Sequence, residues 1–513
     1  MKTRFILTAA SIAIVAGAFG WFRMRDATPE RPVVLHSTLP SAADARAILN
    51  STHRHREWVN VPAGHAPTGY ANVRAFIVYP ERADKAPVVL LAAEKQGASD
   101  WLRAVADQSA AEGFISVVPD VLSGEGPHGG DSNDFANVDL IAAALDRMGP
   151  EEIARRTKAV REYALGLPAA NGKSANLEFA AAGVAAAVEA PVAGQSAARY
   201  PTGADAWPRA VAFLVRQTGD KPVVGENPNV PEDHSAHFGM MMAQTPGAND
   251  KKGPGGRGYP VGKLADLPAG VFNAHSTLAN SKLRKEFVDI PLGDVKLHTW
   301  VEYPAGDGKA PIVISMQHGP GMDDWQRALG DQLAQQGFIS ISVDLHSGLG
   351  PNGGAYDSFG GTDEVMRATA RLTPDDMYAR YKAARDWGMK LPRASGKSAV
   401  IGFCMGGGNA FRFASETTDV NAVVVFYGNP ANQEMLAKIK APVLAFYGDD
   451  DARVTSTMAP TEAALKAAGK SFEAHSYPHA THGFLEFQDL AGNPAATADS
   501  WSKTIAFLRE HTR

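Results

Sequence analysis

The chain contains a single cysteine, Cys404, and the residues around it are those a nucleophile needs. Gly402-Phe403-Cys404-Met405-Gly406-Gly407-Gly408 ends an apolar run of strand length, Ala399–Phe403, and a helical pattern starts at once. This strand–turn–helix pattern places a nucleophile on a tight, strained elbow, here with cysteine in place of serine. The glycines are needed because side chains flanking such a turn would meet neighbouring backbone. The same turn sets the thiol at a helix N-terminus, where the backbone dipole favours a thiolate. A free cysteine is more often a small buried hydrophobe, but the glycine pattern in this context favours a reactive one. One cysteine also excludes an intramolecular disulfide and a multi-cysteine metal site.

An acid and a base can be sought downstream in the order nucleophile, acid, base. Past the strand-like run Pro442–Tyr447 comes Gly448-Asp449-Asp450-Asp451-Ala452-Arg453-Val454. Three adjacent aspartates could form an ordinary acidic turn, yet the loop lies just beyond a strand end. Past Phe472–Tyr477 comes Pro478-His479-Ala480-Thr481-His482-Gly483-Phe484. A lone histidine is usually structural; its rank after Cys404 and the aspartates makes His482 a candidate base.

These three segments resemble the catalytic motifs of the dienelactone hydrolases, over nearly all of residues 283–513 and in fragments over 50–218. The resemblance implies an α/β-hydrolase fold and a triad of Cys404, Asp451 and His482. Asp451 is preferred by the Val454 three residues after it, and Asp450 is the fallback. It implies hydrolysis of a small ester or lactone by acyl transfer to sulfur, with no metal or organic cofactor. The backbone N–H groups of Met405 and Gly319 are the expected oxyanion donors. In the family, a glutamate near the thiol is held by an arginine four residues after the histidine. Here those positions carry His318 and Glu486. They read either as a swapped pair that still sets the environment of the thiol or as two drifted positions. Loss of the arginine weakens the case for an anionic substrate. The same triad would also serve a thioesterase, acyltransferase or peptidase, and a catalytically weak binding or scaffold protein of the same fold is the alternative from another class.

The elements that must position these groups alternate in type. Pro311–Met316, Phe338–Val343, Ala399–Phe403, Ala422–Tyr427, Pro442–Tyr447 and Phe472–Tyr477 read as strands. Trp325–Gln335, Asp375–Met389, Ala459–Ala468 (with Pro460 in its first turn) and Ala498–His511 read as helices. The alternation predicts an α/β fold, a mostly parallel sheet with helices on both faces and functional residues past the strands' carboxyl ends.

This domain occurs twice. At an offset of 224, Asp100-Trp101 recurs as Asp324-Trp325, Gly113-Phe114-Ile115-Ser116 as Gly337-Phe338-Ile339-Ser340, and Gly172-Lys173-Ser174-Ala175 as Gly396-Lys397-Ser398-Ala399. Ala212-Phe213-Leu214 instead matches Ala506-Phe507-Leu508 at 294, so the first copy lacks about 70 residues. Cys404 maps to Ala180, Gly402 to Glu178 and Gly406 to Ala182, and the acid and base segments are missing. Glu94 stands at the family's glutamate position with no thiol to serve. The expected layout is residues 1–30 as signal peptide or anchor, 50–218 as a degenerate copy, 219–282 as linker and 283–513 as the catalytic copy. The degenerate copy is expected to pack on the active one or cover its mouth.

A net charge of −5, with 45% hydrophobic and 20% charged residues, gives no electrostatic case for nucleic acid. Lys2 and Arg4 precede an apolar run, Phe5 to Phe22, with Ala16-Gly17-Ala18 as a small-residue cleavage site. This predicts export to the periplasm or beyond, with the segment cleaved or retained as a membrane anchor. In the linker, His234, His237 and Met240-Met241-Met242 offer soft ligands of the kind copper takes, although methionine runs more often fill gaps between domains.

Overall fold

In a computed structural model of the protein, the described residues are 38–63, 72–93, 96–179, 197–200, 206–220, 267–430, 432–488 and 493–513. The N-terminal apolar segment, Glu94, Ala180, Ala182 and the His/Met motif of the linker lie outside them. Among the described residues no helix is long and apolar enough to cross a membrane.

The described residues build two sheets. The first has β1 (Arg56–Pro62), β2 (Asn72–Val78), β3 (Ala86–Ala93), β4 (Ile115–Asp120), β5 (Ala170–Phe179) and β6 (Ala197–Tyr200), in the order β1-β2-β4-β3-β5-β6. The second has β7 (Lys285–Leu292), β8 (Val295–Glu302), β9 (Ala310–Met316), β10 (Ile339–Val343), β11 (Ala394–Phe403), β12 (Ala422–Phe426), β13 (Val443–Gly448) and β14 (Phe472–Tyr477). Its order is β14-β13-β12-β11-β9-β10-β8-β7, parallel from β10 to β14, with β8 antiparallel to both neighbours. The duplication extends to strand register. Val88 faces Ile115 in the first sheet and Ile312 faces Ile339 in the second, each pair 224 residues apart from its counterpart.

Every residue of β10, β12 and β13 is buried, as expected of strands covered by helices on both faces. Strand positions follow the sequence patterning within a few residues, because continuous apolar runs of this length have few other ways to be buried. Two helix starts are corrected, the C-terminal helix beginning at Asn493 rather than Ala498. The helix containing Pro460 spans Ala452–Ala467, so the proline lies inside it rather than in the first turn. The loop after β13 sets its start, with Thr455 N–H donating to the Asp451 carbonyl at 3.0 Å. The linker is also shorter than expected. Residues from 267 fold onto the second copy, where Trp325 Nε1–H donates to the Ala269 carbonyl at 3.1 Å and Val271 N–H to the Glu486 carbonyl at 3.0 Å. A seven-residue helix, Ala274–Asn280, is too short to announce itself by periodicity.

The two copies pack together through polar contacts. Arg103, fully buried, pairs with Asp363 of the second copy and stands over the Trp58 and Phe76 rings at 5.5 and 5.4 Å. Asp363 N–H in turn donates to Asn50 Oδ1 at 3.2 Å. Arg103→Ala would leave the carboxylate of Asp363 with only Arg367, 3.7 Å away on its own helix, and breaking a buried pair costs up to about 3–5 kcal/mol. Urea unfolding of the variant should show a loss of that size; a loss below about 1 kcal/mol would mean the junction is held elsewhere.

Candidate active site

Cys404 stands where β11 meets the helix Met405–Glu416, at φ 54° and ψ −116°. The glycine requirement is visible in space. A Cβ on Gly402 would lie 2.0 Å from the Gly406 carbonyl oxygen, and one on Gly406 would lie 2.2 Å from that of Met316 at the end of β9. Strand, turn and helix therefore close only with glycine at both positions, and the closure pushes the half-buried thiol out of the sheet's carboxyl edge.

The acid and base arrive from the ends of β13 and β14. His482 Nδ1–H donates to Asp451 Oδ2 at 2.5 Å, and Asp451 is 4% exposed. A ring nitrogen of His482 lies within 4.8 Å of Cys404 Sγ. Of the other two aspartates, Asp449 accepts from Ser476 Oγ–H, and Asp450 N–H donates to the Ala480 carbonyl at 3.0 Å; Asp451 is the one that reaches the imidazole. The Tyr427 ring, 4.9 Å from that of His482, supports the imidazole edge-on.

The electrostatics of these groups are mutually dependent. Burial alone would push the Cys404 thiol up, but His482 and then His55 more than reverse this and hold it well below the ordinary thiol range. Burial pushes His482 down, while Asp451 and Cys404 carry it up to about 9. Burial would raise Asp451, and His482 with Arg453 keeps it below the usual carboxylate value. The combination is that of a thiolate–imidazolium pair oriented by a carboxylate.

Met405 opens the helix after Cys404, where first-turn N–H groups have no helical acceptor. Gly319 lies beyond β9, and both residues border the same cavity. His318 and Glu486 meet, with His318 Nδ1 at 3.1 Å from Glu486 Oε2 and Nε2 at 3.2 Å from Asp323 Oδ2. Burial would lower His318, but Glu486 and Asp323 raise it well above the usual imidazole range. The two positions are thus in contact, with Asp323 on the other side of the ring; burial raises Glu486 against the pull of His318.

The cavity measures about 550 Å³ and is walled by both copies: Asn50, His55, Trp58 and Tyr163 line it together with Cys404, His482 and Glu486. Sequence reasoning, which expected the first copy to pack on the second or cover its mouth, missed the imidazole that it supplies. His55, just before β1, lies 3.4 Å from Cys404 Sγ through its Nδ1. The available signal was the dense run His53-Arg54-His55-Arg56-Glu57 in a copy without a triad of its own. His55, Cys404 and His482 are residue types that also hold metals, but the thiol and carboxylate contacts account for their placement.

Sheet order, crossover pattern and a nucleophile elbow past the central strand define an α/β-hydrolase fold. The sequence profile of the dienelactone hydrolase family matches residues 73–196 and 297–512. The chain belongs to the dienelactone hydrolase family, in two copies. It is 36% identical over 114 residues, 22% of this chain and 44% of the relative, to a "Putative carboxymethylenebutenolidase" of Saccharolobus solfataricus. It is 26% identical over 247 residues, 46% of this chain and 97% of the relative, to a "Probable 2-oxo-3-(5-oxofuran-2-ylidene)propanoate lactonase" of Bradyrhizobium sp. Among solved structures, the dienelactone hydrolase of Anabaena variabilis is 24% identical, aligning over 45% of this chain and all of that one with a TM-score of 0.36.

Proposed function

We propose that the protein hydrolyses small carboxylic esters or lactones through a thioester formed on Cys404. The observation that carries this reading is the row Cys404, His482, Asp451, whose first two members line the cavity between the copies. The names of the relatives, carboxymethylenebutenolidase and lactonase, support the same class.

In this mechanism the Cys404 thiolate attacks the carbonyl carbon, and the negative charge on the carbonyl oxygen is met by the N–H groups of Met405 and Gly319. Collapse breaks the acyl C–O bond, and the His482 imidazolium gives its proton to the departing alkoxide. Water then attacks the thioester, His482 takes the water proton, and the C–S bond breaks to return the thiolate. With a lactone the alkoxide stays tethered, so the product is one hydroxy acid. Asp451 fixes the His482 tautomer and stabilises the imidazolium without taking its proton.

The proton inventory gives a pH profile. Below about 9 His482 carries the proton the leaving group needs; above it that proton is lost, so kcat/KM should fall on the alkaline side with a midpoint near 9. An activity still rising through pH 10 would contradict this assignment.

The acyl-enzyme is the direct test. Rapid acid quench during turnover of p-nitrophenyl acetate, followed by intact mass and peptide mapping, should find an acetyl group on Cys404. Turnover that continues after complete alkylation of Cys404 by iodoacetamide would sink the proposal.

We also propose that residues 1–30 direct export, as a cleaved signal or a retained anchor. N-terminal sequencing of the protein recovered from fractionated cells tests this, and an intact N-terminus in the soluble cytosol would refute it.

A further inference from the structure

The thiol has a neighbour that the triad does not use. The His55 ring packs between His482, at 4.5 Å between centroids, and Tyr79, at 5.4 Å. Its backbone is fixed, since the His55 carbonyl accepts the Tyr79 N–H at 2.9 Å. Beyond its outer nitrogen, Glu57 Oε2 lies 3.9 Å from Nε2 and Glu57 Oε1 accepts from the Tyr79 hydroxyl at 2.8 Å. Burial would raise Glu57, but His55 leads the groups that hold it down to about 2, so a fixed anion stands behind the imidazole.

The duplication provides an internal comparison. In the second copy the Arg284 carbonyl accepts the Tyr303 N–H at 2.9 Å, and the Tyr303 hydroxyl donates to Glu286 at 3.0 Å. Arg284, Glu286 and Tyr303 therefore occupy the places of His55, Glu57 and Tyr79. The Arg284 side chain is 65% exposed and pairs with Glu286 at 2.8 Å. At the corresponding place in the first copy, the chain carries an imidazole, buries it and points it at the sulfur of the other copy.

We propose that His55 is a catalytic residue: the first copy, which has no nucleophile of its own, donates this imidazole to hold the Cys404 sulfur as a thiolate, so that one active site is assembled from both copies. The proposal rests on the Cys404 chemistry above. In the free enzyme His55 Nδ1–H and His482 both face the sulfur anion. As the S–C bond forms, sulfur loses its charge and the hydrogen bond from His55 weakens. The role given to His55 is hydrogen bonding alone, and the proton transferred to the alkoxide comes from His482.

The other charges around the contact do not replace it. Arg453 favours the anion, whereas Asp451 and Glu486 oppose it and Tyr427 adds no charge. With burial also against the thiolate, the two imidazoles facing the sulfur are its main support.

Cys404 is the only cysteine, so alkylation of the full-length chain reports on this thiol alone. The experiment compares wild type, His55→Ala and His55→Asn by the pH dependence of the iodoacetamide rate and by kcat/KM for p-nitrophenyl acetate. His55→Ala should move the alkylation midpoint up by about 1 unit or more, within the range a neighbouring hydrogen-bonding or charged group commands, and lower kcat/KM at pH 7 about tenfold. His55→Asn, whose amide nitrogen stands near the place of Nδ1, should recover most of both. A purely structural role would leave the midpoint in place. An unchanged midpoint in a His55→Ala protein of wild-type melting temperature overturns the proposal; should that variant not fold, an unchanged midpoint for a folded His55→Asn variant with at least tenfold lower kcat/KM does so. Failure of the Cys404 reading is distinct, because it appears as turnover surviving in Cys404→Ala.

Discussion

Cys404→Ala is expected to lower kcat/KM for esters and lactones by at least about 10⁴-fold, and His482→Ala by nearly as much. The reason is that the two act as one unit. In the proposed mechanism the sulfur is a nucleophile at neutral pH because His482 faces it, and His482 is positioned by Asp451, 2.5 Å from its Nδ1. The double variant Cys404→Ala/His482→Ala should therefore be no worse than Cys404→Ala alone, since the second change removes a base with nothing left to serve. Asp451→Asn keeps the shape but offers an amide to Nδ1, and the wrong tautomer costs about 10³–10⁴-fold. Asp450→Asn should stay within a few-fold of wild type. Steady-state kinetics on this set decides the roles. Additive losses across the double variant would argue against a working unit, and a deep loss in Asp450→Asn would move the acid by one residue.

The second large effect is on folding. Gly406→Ala is expected to destabilise the protein by more than about 4 kcal/mol or to prevent its recovery in soluble form. The added Cβ would lie 2.2 Å from the Met316 carbonyl oxygen and 2.7 Å from that of Gln317, both backbone atoms that cannot rotate away. Relief would require the helix Met405–Glu416 to lift from β9, which strips cover from the centre of the sheet. Gly319→Ala is the control, because its Cβ would meet only the Met366 Cε at 3.7 Å, an ordinary van der Waals distance. That variant should stay within about 0.5 kcal/mol of wild type. Chemical unfolding of the pair reads the difference; a Gly406→Ala protein within about 1 kcal/mol of wild type would show that the elbow can shift.

The second copy was legible because its signals are local. A buried parallel strand is a continuous apolar run, and an elbow is five residues with glycine where no Cβ fits. His482 could be placed by its rank after Cys404, and Asp451 among three adjacent aspartates only by the family resemblance through Val454, although 31 residues separate the two and their 2.5 Å contact depends on β13 and β14 lying side by side. Pro460 misled because proline is tolerated in a first turn and the actual start at Asp451 carries no side-chain cap. His55 was not legible for a different reason. Its contact with Cys404 spans 349 residues and arises from how two sheets pack, which no period within either copy encodes. The 224 offset even draws attention away from it, because reading the first copy for its lost triad hides what its edge presents to the neighbour.

The Arg82 carbonyl accepts the N–H of Ala452, the residue after Asp451, at 3.0 Å, so the first copy also grips the loop that carries the proposed acid. Two halves joined by a covalent tether meet at an effective concentration that dilution cannot change. Specific activity should therefore remain constant into the picomolar range, where a centre shared between separate subunits would fall apart. The tether also sets what the first copy is free to lose. Its own nucleophile could vanish without consequence, while the edge from His55 to Arg82 behaves as working machinery for a reaction carried out next door.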